Sequence, residues 1–441
     1  MGRFGTDGIR GEVGTEVTAD LALALGRAAG HRYGGPGRTI VLGRDTRRSG
    51  EMLSAALTAG LTATGTDVVD LGIVTTPCLV HASAAGAFAA GIMVSASHNP
   101  APDNGLKVVV DGRKVNGGAE AELDALITDP SAIPHRPNEE LGRVREDRGA
   151  VDAYRRHLIE AAGDAFEGLR IGIDCANGSA CGIAPDLFRA LGAEVTVLFD
   201  APDGANINAG CGSTHPERLA ATVAAAGLEI GFAFDGDADR LIAVDERGEL
   251  VDGDAVMGIC ALQRLAAGTL RNNVLVATVM SNGGLERALT QAGGKLVRTP
   301  VGDRHVFEAM EREDAVIGGE QSGHIIFRDR ATTGDGLLTA IELVKAVREA
   351  EEPLSALAGR IPRLPQVMIN SAVRRRDDWE GDAEFLSAIR RATERMGERG
   401  RVLVRPSGTE PRIRIMVEGD DLAEIEEMAR ELATLAEARL N

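Results

Sequence analysis

The sequence predicts an α/β protein: three similar mixed α/β domains with a shared central cleft, followed by a smaller C-terminal α+β domain. Three observations predict this architecture. They are an internal repeat of strand and helix patterns, polar loops that follow strands in register with that repeat, and a last segment with a different pattern. The 441 residues suffice for three or four domains at ~150 residues each.

The repeat comprises segments that begin at Thr39, Leu169 and Asn273. Each segment has a short apolar strand, a polar loop containing glycine, an amphipathic helix and a second strand. This alternation predicts βαβ units on a parallel or mixed sheet.

The segment after Pro365 has a different order of patterns. It shows a strand-like "QVMINSAVR", a helix, a hairpin around "RVLVRPSGTEPRIRIMVEG" and a last helix. The order is typical of a small α+β domain. We therefore expect domains at 1–152, 153–252, 253–364 and 365–441.

Composition excludes several classes of protein. The net charge is -18, with one Trp and two Tyr, which argues against nucleic-acid binding. We see no signal-peptide pattern and no apolar run of the ~20 residues that a membrane span needs. The five cysteines lack C-x-x-C spacing, so we expect reduced thiols in a cytoplasmic protein and no zinc site.

Each repeat is followed by a strand that ends in a polar loop, and the three loops contain "SASHNP", "DGDADR" and "GEQSGH". In open α/β sheets, ligands bind beyond the carboxyl ends of strands. If the domains pack around a common centre, these loops meet there. The alternative is three independent domains with unrelated polar turns.

The second loop places Asp235, Asp237 and Asp239 at alternate positions. Such carboxylates repel one another unless a cation lies among them, and oxygen ligands suit Mg²⁺ or Ca²⁺. An EF-hand would use Glu246 as its twelfth residue, but Arg240 stands where that loop needs Gly and the flanks read as strands. A solvated acidic turn is a further alternative. Arg240 either pairs with a carboxylate or reaches a bound phosphate.

The C-terminal hairpin carries groups that suit a phosphate. A Ser-Gly-Thr turn can direct N–H and hydroxyl groups at one anion, and arginines supply planar donors. The alternative is an ordinary hairpin turn. The residues concerned are Arg405, Ser407, Gly408, Thr409 and Arg414.

Two loops offer hydroxyl groups with different roles. Glu320 and Ser322 suit sugar hydroxyls, or simply form a strand-end turn. Ser97 lacks a G-x-S-x-G setting, yet beside a metal loop its hydroxyl could carry a phosphoryl group. Lys107 could then move protons, and His98 could hydrogen-bond Ser97 or brace the turn. The alternative is that Ser97 caps a helix and Lys107 is solvated.

Taken in order, "SASHNP", "DGDADR", "GEQSGH" and "RPSGTEP" resemble the α-D-phosphohexomutase superfamily along essentially the whole chain. The resemblance implies a four-domain, heart-shaped enzyme with a central cleft. It makes Ser97 a phosphoserine whose phosphate holds Mg²⁺ together with Asp235, Asp237 and Asp239.

The same resemblance implies roles for the remaining residues. Lys107 is a general acid or base, His98 assists in the active site, and Arg10 joins its shell. Glu320 and Ser322 bind sugar hydroxyls. The phosphate that is not transferred is held by Arg405, Ser407, Gly408, Thr409 and Arg414.

Within the superfamily, "FGTDGIRG", Gln321 and "TPVGDRHV" are similar to the branch that acts on glucosamine phosphate. The implied reaction converts glucosamine 6-phosphate reversibly to glucosamine 1-phosphate through a bisphosphate, feeding amino-sugar nucleotide and cell-wall precursor synthesis. A homodimer is plausible for the family. Alternatives are a phosphomannomutase or phosphoglucomutase, a Mg²⁺-dependent phosphatase, and a Ca²⁺-binding protein. Ala238 stands where many relatives have Gly, and its small side chain still permits a tight turn if φ is negative there.

Overall fold

The computed structural model describes residues 3–5, 7–407 and 411–441, without the side chains of residues 377 and 398. The first sheet is mixed, with strand order β1-β5-β4-β2-β3-β7 and β6 beside β5. Its strands are β1 (Ile9–Glu12), β2 (Thr39–Arg44), β3 (Asp67–Ile73), β4 (Ala90–Val94), β5 (Asp103–Val110), β6 (Arg113–Lys114) and β7 (Val144–Glu146). Its helices are α1 (Ala19–Tyr33), α2 (Ser49–Ala63), α3 (Thr76–Ala84), α4 (Gly117–Thr128) and α5 (Gly149–Ala162).

The second sheet has the order β12-β11-β10-β8-β9. Its strands are β8 (Arg170–Asp174), β9 (Glu194–Leu198), β10 (Ile230–Phe234), β11 (Leu241–Val244) and β12 (Leu250–Val251), with helices α6 (Ala184–Ala190) and α7 (Glu217–Ala226).

The third sheet has the order β14-β13-β15-β16. Its strands are β13 (Val274–Thr278), β14 (Lys295–Thr299), β15 (Ile317–Gly319) and β16 (Ile325–Phe327). Its helices are α8 (Gly253–Ala266), α9 (Gly283–Gln291), α10 (Asp303–Glu313), α11 (Gly336–Ala350) and α12 (Leu354–Ala358).

The fourth sheet is antiparallel, in the order β17-β19-β18. Its strands are β17 (Gln366–Ala372), β18 (Gly400–Pro406) and β19 (Arg412–Gly419), and it is covered by α13 (Ala383–Met396) and α14 (Leu422–Leu440). The predicted α+β segment is thereby confirmed.

The first three sheets share one plan that positions the polar loops. Each has parallel strands followed by a strand that turns back antiparallel, at β4–β5, β10–β11 and β15–β16. β4 and β10 are buried along their whole length, as expected for strands covered on both faces. Each predicted loop is the turn of such a pair, so it lies at the edge where the parallel strands end.

Hydrophobic packing links the first three sheets and gives the fourth sheet a cluster of its own. One apolar core runs through the first three sheets and includes Val41, Phe232 and Leu275. The fourth sheet has a core of its own, with Phe385 and Ile415. Among the described helices, none combines the length and apolar character required to cross a membrane.

Candidate active site

The first loop holds Ser97 in a buried and strained conformation. Ser97 has a φ of 53°, and its side chain is 1% exposed. Its N–H donates to Ser95 Oγ at 3.0 Å, and its hydroxyl donates to Asp235 Oδ2 at 2.5 Å. The helix-cap alternative is therefore wrong, because the hydroxyl points at the second loop. His98 Nδ1 lies 3.3 Å from the same hydroxyl, and burial lowers the pKa of His98 to about 4, with Arg240 adding to the effect.

Arg47, which stands in none of the motifs described above, holds this loop in place. Its guanidinium is buried and uses all five N–H groups, with Nε donating to Asp45 at 3.0 Å. The other four N–H groups donate to the carbonyls of Ser97, Asn99, Pro100 and Asp103. The available signal was the charged stretch "GRDTRRSG" at the end of β2, at the same sheet edge as the first loop.

The three aspartates form a buried cluster. Asp235, Asp237 and Asp239 are at most 3% exposed, and one ligand oxygen from each lies within 4.8 Å of the others. Burial raises the pKa of Asp235, and the charges of Asp239 and Asp237 raise it further. Within the described residues, Oδ1 of Asp237 and Oδ1 of Asp239 are buried without a hydrogen-bond partner. Two unpartnered carboxylate oxygens within a cluster of three aspartates fit a hard divalent cation such as Mg²⁺, which prefers oxygen ligands.

The EF-hand alternative is wrong on geometry. The loop connects two strands, β10 and β11, and not two helices. Glu246 lies outside the cluster, where its carboxylate accepts the N–H of Ser355 at 3.2 Å.

The metal loop makes its turn with Ala238 in a left-handed backbone conformation. Its φ is +56°, not negative. Two backbone hydrogen bonds fix this conformation: the N–H of Ala238 donates to the carbonyl of Asp235 at 3.1 Å, and its carbonyl accepts from Gly336 at 3.0 Å. The turn therefore tolerates a left-handed alanine at a cost of about 1–2 kcal/mol.

Lys107 is buried beside the cluster, so the solvated alternative is wrong. Its Nζ lies 2.7 Å from Asp237 and 3.2 Å from Asp7. Burial opposes the charged ammonium, but these carboxylates outweigh it and raise the pKa of Lys107. Asp7 also pairs with Arg10 and Lys114, which brings Arg10 into the site. Asp7 lies within the motif "FGTDGIRG" but was assigned no role, and Lys114 stands in none of the quoted motifs.

The third loop reaches the second through His324. Its Nδ1 lies 3.4 Å from Asp239 Oδ2, and its Nε2 accepts the N–H of Gly334 at 3.1 Å. Glu320 accepts the hydroxyl of Ser322 at 3.4 Å and the N–H of Gly302 at 3.1 Å. The predicted meeting of the first three loops is thus confirmed, whereas the contact of His324 was not anticipated.

The sequence left open whether Arg240 pairs with a carboxylate or reaches a bound phosphate, and its position is compatible with both. Its Nε lies 3.8 Å from Asp239 Oδ1, and its backbone N–H donates to Asp235 at 3.2 Å. That Nε is buried and makes no hydrogen bond in the described part of the chain. It therefore keeps a donor available for an anion.

The C-terminal hairpin places Arg405 and Arg414 directly opposite each other on β18 and β19. Burial lowers the pKa of Arg405, and the charge of Arg414 lowers it further. Two facing guanidinium groups favour an anion between them. Ser407 is buried, and its backbone N–H donates to the carbonyl oxygen of Arg412 at 2.9 Å. Gly408 and Thr409 lie outside the described residues.

Four family models match the chain in succession. They are the phosphoglucomutase/phosphomannomutase alpha/beta/alpha domains I at residues 1–132, II at 152–248 and III at 252–364, and the C-terminal domain at 368–435.

Curated relatives and solved structures agree with these models. Phosphoglucosamine mutase of Symbiobacterium thermophilum is 52% identical over 99% of both chains, and that of Moorella thermoacetica is 47% identical over 99% of both. A phosphoglucomutase/phosphomannomutase family protein of Burkholderia thailandensis superposes with a TM-score of 0.84 at 30% identity, covering 99% of this chain and 98% of its own. The fold is also that of Aspergillus fumigatus N-acetylphosphoglucosamine mutase, solved with GlcNAc-6P and magnesium, with a TM-score of 0.70 and 18% identity over 99% and 96% of the two chains. The chain therefore belongs to the phosphoglucomutase/phosphomannomutase family of intramolecular phosphotransferases.

Proposed function

We propose that this protein interconverts glucosamine 6-phosphate and glucosamine 1-phosphate through phosphorylated Ser97. The observation that carries the proposal is the 2.5 Å contact between the Ser97 hydroxyl and Asp235 inside the buried aspartate cluster. Full-length similarity to phosphoglucosamine mutases, at 52% and 47% identity, supports the amino sugar as the substrate.

The reaction proceeds as two phosphoryl transfers. A free hydroxyl of the sugar phosphate attacks the phosphorus of phospho-Ser97, the bond from phosphorus to Ser97 Oγ breaks, and a bisphosphate results. The bisphosphate turns over in the cleft. Ser97 Oγ then attacks the other phosphate, which restores the phosphoenzyme and releases the isomer. Positioning and charge stabilisation supply most of the acceleration in such transfers.

The aspartate cluster fits Mg²⁺ as the metal. Asp235, Asp237 and Asp239, with a phosphate oxygen on Ser97, would hold it. When bound, the ion neutralises negative charge on the phosphoryl group during transfer.

The chain's own residues divide the remaining work. In this proposal Lys107, whose Nζ lies 2.7 Å from Asp237, donates a proton to the departing oxygen. Arg240 offers its unpartnered Nε to a phosphate oxygen, and Glu320 and Ser322 bind sugar hydroxyls in this proposal. Arg405 and Arg414 hold the phosphate that is not transferred. A substrate that presents either end needs such a fixed anchor, and closing the site over it excludes water that would hydrolyse phosphoserine.

The test is turnover of purified protein with Mg²⁺ on glucosamine 1-phosphate, glucose 1-phosphate and mannose 1-phosphate, following both isomer and inorganic phosphate. We expect strong preference for the amino sugar without phosphate release, and no turnover or bound phosphate in Ser97→Ala by intact mass. Preference for glucose or mannose would overturn the substrate and keep the mechanism. Free phosphate without isomer would make the protein a phosphatase.

A further inference from the structure

The C-terminal domain meets the third domain at an ion pair whose carboxylate is buried. Glu418 on β19 is fully buried, and its Oε1 accepts from Arg401 Nε at 2.9 Å. The same oxygen accepts the N–H of Gly283, the first residue of α9 in the third domain, at 2.7 Å. A carboxylate is favoured at a helix N-terminus. We refer to Arg401 and Glu418 as the junction pair.

Both members of the junction pair bind one short turn of the third domain. While Glu418 caps α9, Arg401 donates to the carbonyls of Val279 at 2.7 Å and Ser281 at 2.5 Å. The turn therefore receives donors from the arginine and presents an N–H to the carboxylate. Displacing Arg401 would leave the buried carboxylate of Glu418 without its cation, so the junction resists movement.

The hairpin that carries the junction pair also carries the phosphate arginines, Arg405 and Arg414. Arg401 lies opposite Glu418, and four residues along the same strands Arg405 lies opposite Arg414. Side chains alternate between the faces of a sheet, so the two pairs share one face, separated by ~13 Å along the strands.

We propose that the junction pair positions the phosphate arginines for the substrate's non-transferred phosphate. The inference rests on the proposed function, which assigns the phosphate to Arg405 and Arg414. A hairpin fixed at one end transmits a rotation at that end to the other. Arg401 and Glu418 are thus positioning residues. They act on the substrate through Arg405 and Arg414, which lie four residues further along the same two strands.

The first experiment compares Arg401→Met with Arg430→Met in the full-length protein. Arg430 forms an exposed pair with Glu426 on α14, away from the junction, and serves as the matched control. We expect Arg401→Met to raise KM for glucosamine 1-phosphate about tenfold, within the ~10²-fold that a 1 Å misplacement can cause. We also expect Arg401→Met to release more bisphosphate per turnover. Arg401→Lys should have a KM between those of the wild type and Arg401→Met. Unchanged KM and bisphosphate release in a folded Arg401→Met would overturn the proposal.

A double-mutant cycle with Arg405→Met separates positioning from a merely structural role. If Arg401 acts through the phosphate arginines, the double variant has nearly the KM of Arg405→Met alone. Fold-changes that multiply would overturn the proposal. If Arg405→Met itself leaves KM unchanged, the phosphate assignment under the proposed function fails, and the positioning role fails with it. Should Arg401→Met fail to fold, Glu418→Gln, which keeps the acceptor oxygen, carries the same cycle.

Discussion

Arg47 donates to the carbonyl oxygen of Ser97 at 3.0 Å, with the whole guanidinium buried. The loop around Ser97 has little regular structure of its own, and Arg47 supplies donors to four of its carbonyls. A residue fifty positions earlier in the chain thereby fixes the group that we propose to be the nucleophile.

Arg47→Met is expected to be both less stable and less active. It leaves Asp45 buried and unpaired, so the free energy of unfolding should fall by about 3–5 kcal/mol, measured by chemical denaturation. Displacement of Ser97 should lower kcat by about 100-fold. The neighbouring Arg48 is exposed, and Arg48→Met should leave both quantities unchanged. Wild-type kcat in a folded Arg47→Met would contradict this role.

Gly178→Ala is expected to displace the metal loop, because Gly178 packs against the backbone of Gly236. A Cβ at Gly178 would lie 2.4 Å from the carbonyl oxygen of Gly236, which is backbone and cannot easily move. We expect about 1–3 kcal/mol of destabilisation, as for other overpacked sites, and lower activity.

The control for that substitution lies in the same segment. A Cβ at Gly182 meets nothing within 4 Å, so Gly182→Ala should change the free energy of unfolding by less than about 0.5 kcal/mol. Equal effects from Gly178→Ala and Gly182→Ala would show that close approach to Gly236 does not limit stability.

The sequence sufficed to predict the motif loops because their local spacing carries their chemistry. Asp235, Asp237 and Asp239 alternate on one turn, so their proximity follows from the chain alone. The rule that ligands gather beyond the carboxyl ends of strands then placed this turn near Ser97.

The supporting residues could not be predicted in the same way. Asp7 contacts Lys107 across a hundred positions, and the pairing depends on β1 lying beside β5, a register that no local pattern reveals. Ala238 shows a second limit. Its backbone is fixed left-handed by hydrogen bonds to Asp235 and Gly336, and the second of these belongs to another domain.

Mg²⁺ is expected to stabilise the fold as well as support turnover. A cation bound among Asp235, Asp237 and Asp239 relieves their repulsion, and at 100 times its Kd contributes about 2.7 kcal/mol. The Tm of thermal unfolding should therefore rise when Mg²⁺ is added. Removal of the ion by a chelator should abolish turnover. The shift should shrink in Asp237→Asn and persist in Asp186→Asn, which alters an exposed carboxylate. An equal shift in both variants would place the cation elsewhere.

Asp335 predicts a pH dependence of stability. It caps α11 by accepting the N–H of Leu338 at 3.0 Å, and it accepts the hydroxyl of Tyr154 at 2.9 Å. Burial raises the pKa of Asp335 to about 6 in the folded protein, against ~3.9 for an unperturbed carboxyl. The folded state therefore binds this proton more tightly, so the contribution of Asp335 is fully present below pH ~4 and is lost as the pH rises through about 6.

Asp335→Asn isolates this contribution, because an amide keeps an acceptor for Leu338 and can donate to the Tyr154 hydroxyl without titrating. The free energy of unfolding of the variant, relative to wild type, should rise by about 2 kcal/mol between pH 4 and pH 7. Denaturant titrations at several pH values measure this difference. A difference that stays constant with pH would mean that Asp335 titrates at its ordinary value despite its burial.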